Sequence, residues 1–395
     1  QLYYSGFGKG FGPSVVNELL SWEKTNEFNI GLDFAFLNGR ISGTFDWYNR
    51  DSRDLLMDMK LLLEQGTPSG QMTANVGKVR NRGVEAMLKG ILLQTKNFYW
   101  DVTATFAMNH NEILELQGKK EDMRAQRWFI GQPIDVAYDL KQTGICTQAM
   151  ANEKLTIDGV TKTKSEWYGY FEGCMTYEDL NMDGKINDDD RQIIGQGMPK
   201  WTGTISTSLT YKNWDFSMTV NTKQGHTVLS PFMQEFTDYS DRGRNKLAMD
   251  FYIPEGAPVF NYTWDGSDYA SLTSDASKVA ESTIVGSYPY PFNDVNYNHG
   301  GGTGWYTGKN KEFESNCYVD ASYWKIKNIT LGYTFPKNLI NKIGIQNLRI
   351  YANVLNPFTF TKYKGFDPEW ADAAISDGTG GPSSISYQIG LNVKF

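Results

Sequence analysis

The chain has 395 residues and a formal net charge of −7, and 14% of it is aromatic. The acidic balance argues against nucleic acid as a partner, because such a surface must neutralise phosphates. No run of about 18 apolar residues occurs, which excludes a membrane-spanning helix. A mean hydropathy of −0.47 does not exclude a membrane barrel, whose strands need only every second residue apolar. The opening residues, QLYYSGFGKGFG, lack the basic and apolar regions of a signal peptide, so Gln1 reads as the start of a fragment. Length alone allows two or three domains, but large barrels run long as one unit.

Period-two alternation begins at 28–37, FNIGLDFAFL, with Phe28, Ile30, Leu32, Phe34 and Phe36 on one parity and Asn29, Gly31, Asp33 and Ala35 on the other. Asn38-Gly39 is a strong hairpin signal, and alternation resumes over 41–51. After a long link at 52–78, strands are expected at 79–93 and 98–112, joined near 94–97, and then at 131–146. Next come 201–212 and 214–224, joined at 212–213, followed by 320–335, 347–356 and 385–395. The turns at 94–97 and 212–213 belong on one rim, which needs an even number of strands between them. A further strand is therefore expected within 166–178, which brings the count to eleven. In 320–335, Trp324 and Ile326 sit on one parity and Ile329, Leu331, Tyr333 and Phe335 on the other. A β-bulge near Asn328 would account for that slip.

The polar parity is mostly Ser, Thr, Asn, Asp and Gly, which suits a hydrated lumen, while aromatics near strand ends suit the two interfaces of a bilayer. Short links alternate with long ones at 52–78, 225–319 and 357–384, as in outer-membrane barrels. The fold class expected is all-β: the C-terminal part, about eleven strands, of a transmembrane antiparallel barrel. A large extracellular all-β protein is the competing reading of the same alternation. An open sheet leaves backbone groups unsatisfied in lipid, so the closing strands are expected outside this chain.

Within 179–190, DLNMDGKINDDD, oxygen donors fall at positions 1, 3, 5, 7, 9 and 12: Asp179, Asn181, Asp183, the Lys185 carbonyl, Asn187 and Asp190. Gly184 holds position 6 and Ile186 position 8. This is the spacing of an EF-hand-type loop with Asp in place of the final Glu, and it predicts a structural calcium ion. Asp/Asn/Gly strings also make ordinary turns. Cys146, Cys174 and Cys317 have no metal-site spacing, and a Cys146–Cys174 disulfide is open to the chain in an oxidising compartment.

His110, His226 and His299 are scattered, and no GxSxG, HExxH or P-loop is present. An enzyme is not expected. Segment 225–319 is too rich in aromatics for ordinary disorder and too long for an idle loop. It is expected to be an extracellular loop that contacts cargo or a partner, best through Tyr288, Tyr290, Phe292, Trp305 and Tyr306. The alternative is that these rings pack only within the loop.

Several stretches resemble the SusC/RagA family of TonB-dependent outer-membrane transporters of Bacteroidetes. They are NVGKVRNRGVE (75–85), FIGQPIDVAYDLKQTGI (129–145), DLNMDGKINDDDRQIIGQGMPKWTGTIS (179–206), DASYWKIKNITLGYTFP (320–336), NLRIYANVLNPFTFTKYKGFDPE (347–369) and the terminal SYQIGLNVKF. The resemblance implies a barrel of about 22 strands with a plugged lumen, the plug and TonB-contacting segment lying N-terminal to this chain. It also implies a SusD-type surface lipoprotein as partner and TonB-driven import of oligosaccharides or peptides. Phe395 on the lipid-facing parity resembles a barrel assembly signal. Two alternatives are a passive porin-like barrel and a secreted calcium-dependent carbohydrate-binding β protein.

Overall fold

The computed structural model describes residues 2–4, 13–15, 20–60, 71–230, 252–264, 270–286, 318–363, 365–370 and 383–395. Nine strands form one antiparallel sheet in which each pairs with its sequence neighbour. They are β1 Lys24–Phe36, β2 Ile41–Lys60, β3 Gln71–Gln94, β4 Phe98–Glu115, β5 Trp201–Tyr211, β6 Trp214–Gln224, β7 Tyr323–Thr334, β8 Asn347–Thr361 and β9 Ser386–Lys394. The short turns at 37–40, 95–97, 212–213 and 335–346 therefore share one rim. The connections 61–70, 116–200, 225–322 and 362–385 share the other.

Register explains why alternation specifies this sheet. Leu32 faces Phe45, Phe45 faces Ala86, and Ala86 faces Phe106. The next row is polar apart from Met87: Asp33 faces Thr44, Thr44 faces Met87, Met87 faces Thr105, and Thr105, Thr204, Asn221 and Lys325 face one another in turn. A slip of one residue would exchange the two faces. The apolar parity stays open to its surroundings, with Ile30 56%, Leu32 59% and Ile389 86% exposed.

Aromatics gather at both ends of that apolar face. Near the short turns, Phe98 packs on Tyr211, Trp214 on Tyr333, and Tyr333 on Phe335. Near the other rim, Phe106 packs on Trp201 and Trp201 on Trp324, and Phe358 stacks on Phe360. An eleven-residue strand such as β5 rises roughly 35 Å, or about 25 Å along the membrane normal at the tilt of outer-membrane barrels. Two aromatic bands that far apart match the two interfaces of a bilayer.

Among the described residues nine wall strands stand where eleven were expected. Residues 136–140 form a strand whose five residues are all buried, with none of the alternation a wall needs. It pairs with Arg191–Gln196, and Gln142–Ile145 pairs with Met175–Tyr177. Segment 166–178 contributes only the last of these and part of the helix Lys164–Tyr168. Thr163 and Glu166 cap that helix reciprocally, and Gly169 ends it at φ 71°. β4 instead pairs directly with β5, Tyr211 facing Phe98, so the rim parity closes with both expected strands removed. The bulge expected near Asn328 is present. Asn328 faces Thr219 and Ile326 faces Val220, which leaves Lys327 as the inserted residue.

Candidate functional site

The polar face of the wall carries groups of side chains that hydrogen-bond across strands. Asp46, Glu85, Thr105, Thr204 and Asn221 line a cleft on that side. Tyr48 donates to Asn109 over 3.1 Å, and Asn109 and Asn111 both donate to Asn81. On the opposite parity, in line with Phe45, Ala86 and Phe106 but nearer the long-connection rim, Arg80 grips both carboxylate oxygens of Asp51 at 2.7 and 2.9 Å and reaches Glu112 at 3.5 Å. Arg349 binds both oxygens of Asp215 across three strands. Long polar side chains lying across neighbouring strands need small residues beneath them. A Cβ on Gly31 would meet the Asp46 carboxylate at 2.5 Å, so this parity is not uniformly tolerant of bulk.

At the long-connection end of the same face, Lys325 is enclosed with Asp367 and bonds it at 2.6 Å. Glu369 accepts from Lys325 and from Lys327, each at 2.8 Å. The bulge places both lysines on the polar side, where they pin the segment after β8 to the wall. Burial pushes both carboxyls up, but the lysine hydrogen bonds outweigh it and hold Asp367 and Glu369 below their ordinary values. Sequence reading passed over this cluster. Its signals were the phase slip and two lysines spaced by two on one strand.

The connection 116–200 folds into a small module of its own. Leu140, Met175 and Tyr177 form one buried cluster, and Cys146, Ala151, Tyr170 and Cys174 another. Ile186, at position 8 of the acidic loop, packs against both. Gly184 has φ 79°, and a Cβ there would meet the Trp167 ring at 2.4 Å. The turn therefore needs glycine on two counts.

The loop brings its predicted donors onto its own backbone. Asp179 accepts from the amides of Asp183 and Gly184 and from the Tyr168 hydroxyl. Burial first, and then that hydroxyl's bond to Asp179, push Tyr168 well above its ordinary range. Asn181 accepts from the Asp183 amide, Asp183 from Lys185, and Asn187 from Asp189. Asp190 is fully buried and clamps the Leu180 and Asn187 amides, closing the loop end to end. Arg191 joins Asp188 at 2.8 Å to buried Asp139 at 3.3 Å. Among the described residues no three Asp, Glu, His or Cys side chains are gathered to hold a metal ion. Tyr288, Tyr290, Phe292, Trp305 and Tyr306 lie outside the described residues.

The profile of the TonB dependent receptor-like, β-barrel family matches residues 1–246. The chain belongs to this family. It is 27% identical over 97% of its length to TonB-dependent receptor SusC of Bacteroides thetaiotaomicron, covering 33% of that protein. It is also 27% identical over its whole length to TonB-dependent receptor P39 of Formosa agariphila, covering 38% of it. The RagAB peptide transporter structure superimposes on the full chain with a TM-score of 0.64 at 22% identity, over 38% of the RagAB chain. That likeness shows the fold. The chain thus spans about a third of the length of these relatives, which are named as receptors and transporters. As a TonB-dependent receptor β-barrel, the protein belongs to the outer membrane.

Proposed function

We propose that this chain is the C-terminal part of the barrel wall of a SusC-type importer, which takes up oligosaccharides or peptides by TonB-dependent active transport. The observation that carries the reading is the two-faced wall. An apolar outer face bounded by two aromatic bands backs a polar inner face rich in side chains that grip one another across strands. The remaining strands, the plug and the TonB-contacting segment belong to the rest of a longer protein. A SusD-type surface lipoprotein lids the barrel. Connection 225–319 is extracellular and meets cargo or lid through Tyr288, Tyr290, Phe292, Trp305 and Tyr306. The chain has no catalytic role.

Calcium at Asp179, Asn181, Asp183, Lys185, Asn187 and Asp190 belongs to the same reading, as a structural ion that stiffens the rim module. The donor spacing supports it.

Uptake separates the readings. Cells carrying the full-length gene should accumulate labelled oligosaccharide or oligopeptide pools, and lose that uptake on deletion of the gene, of TonB or of the proton gradient. Uptake that survives loss of TonB and the gradient would favour a passive barrel instead. Co-purification of a surface lipoprotein with the detergent-extracted protein tests the lid.

A further inference from the structure

We propose that Cys146 and Cys174 close into a cross-strand disulfide in the mature protein, stapling the base of the 147–173 excursion in the rim module. The register leads to the pair. Ile145 faces Met175 and Gly144 faces Thr176, so the next opposed positions are Cys146 and Cys174. The Cys146 amide donates to the Cys174 carbonyl over 2.8 Å, and the Gly173 amide to the Cys146 carbonyl over 2.8 Å. With Gly173 at φ 88°, this is a G1 bulge in which Cys174 sits opposite Cys146. Directly opposed residues hold their Cβ atoms within a distance that a disulfide needs little movement to span.

The surroundings agree. Both residues are thiols in this structure, buried at 0% and 2% exposure in a cluster with Ala151 and Tyr170. Cys146 Sγ donates to the Thr147 carbonyl and Cys174 Sγ accepts from the Phe171 amide, each over 3.4 Å. The neighbouring Cys146, and then burial, push the Cys174 thiol up, while the neighbouring Cys174 draws Cys146 down. A sealed, protonated thiol reacts slowly, so the exchange belongs to the stage before the module closes. At that stage one cysteine thiolate attacks the disulfide of an oxidised dithiol-carrier protein in the oxidising envelope compartment, breaking that bond and forming a mixed disulfide. The second cysteine gives its proton to water and attacks the mixed disulfide. Two electrons pass to the carrier, which leaves as a dithiol.

The staple fastens more than its own strands. Between the two cysteines lie Trp167, whose ring covers Gly184, and Tyr168, which donates to Asp179. The cross-link thus fixes the platform on which the acidic loop rests.

The test is thiol labelling of the full-length protein, extracted from outer membranes without reductant, acid-quenched, unfolded and alkylated. We expect Cys317 to be labelled and the peptides bearing Cys146 and Cys174 to run as one linked species, with all three cysteines labelled after reduction. Label on both Cys146 and Cys174 without reduction overturns the proposal. As a second measurement, C146S, C174S and the double variant, each in a C317S background, should be clipped by protease within 147–173 roughly tenfold or more faster than the unreduced parent. The double variant should equal the singles. Rates equal to the parent's in all three would also overturn it.

Discussion

Lys325 Nζ lies 2.6 Å from Asp367 Oδ2, with 1% of one side chain and none of the other exposed to solvent. A cation taken from β7 thereby holds the chain that follows β8 against the inner wall. The structure predicts that Lys325→Ala, which strands a buried carboxylate, destabilises this attachment by about 3–5 kcal/mol. Replacing Lys325 and Asp367 together by apolar residues should cost much less. Hydrogen exchange of residues 365–370 in the detergent-solubilised protein measures both. Equal protection in the single variant and the parent would show that the pair does not hold the segment.

The same cluster sets a pH dependence. Asp367 and Glu369 titrate below their ordinary values of 3.8 and 4.5 because Lys325 and Lys327 outweigh their burial. A depressed carboxyl stabilises the folded arrangement fully above its ordinary value, and that stability is lost as pH falls through the depressed one. Protection of 365–370 should therefore be flat from neutrality to about pH 5 and drop below about pH 4. The Lys325→Ala variant should lose most of that acid-dependent drop. A parent whose protection changes between pH 5 and 8 would contradict the assignment.

Gly184→Ala tests the acidic loop. The substitution forces an L-residue to φ 79° and drives a methyl into Trp167. The φ cost alone is about 1–2 kcal/mol. Adding Trp167→Ala should recover the clash and leave the φ cost, so the double variant should be more stable than the sum of the singles. Strict additivity in thermal unfolding of the rim module would mean that ring and turn do not meet in solution.

If the loop holds calcium, the module should melt higher with calcium than with chelator, and Asp179→Asn or Asp183→Asn should shrink that difference. Magnesium should substitute poorly, because it demands tighter octahedral geometry. Identical melting of the parent in calcium and in chelator would leave the loop as a hydrogen-bonded turn closed by Asp190.

How much of this was legible in the sequence follows from periodicity. Most wall strands announced themselves by alternation, because lipid on one side and water on the other impose opposite demands on successive residues. The bulge at Lys327 was legible as a phase slip for the same reason. The long link expected at 52–78 was wrong, since β2 runs to Lys60 and β3 starts at Gln71. Alternation could not report on 131–146, whose residues 136–140 are buried on both sides, so apolar content there was mistaken for a wall strand. The segment 166–178 misled differently. Rim parity called for one more strand once 131–146 had been counted, while the Thr163/Glu166 capping box was the signal for a helix. The Lys325–Asp367 contact joins residues 42 apart through a rim connection, and no local pattern encodes such a meeting.

The wall also predicts where charge is tolerated. Arginine at Leu32 or Ile389, on the apolar face near mid-strand, should cost roughly 2–4 kcal/mol in folding into bilayers. Arginine at Asn392, on the polar face and exposed, should cost far less. Gly31 is a poor control, because its parity is polar yet Asp46 fills the space above it. Equal costs at Leu32 and Asn392 would remove the distinction between the two faces.

Collisional accessibility along β9 tests the two-faced wall most directly. Single spin labels would be placed in turn at Tyr387, Gln388, Ile389, Leu391 and Asn392 of the full-length protein in bilayers, leaving out Gly390, over which the Tyr351 ring lies. Each would be read against lipid-soluble oxygen and a water-soluble nickel chelate. Oxygen should dominate at Tyr387, Ile389 and Leu391 and nickel at Gln388 and Asn392. Nickel access at all five positions, or a profile that does not follow parity, would contradict the two-faced wall.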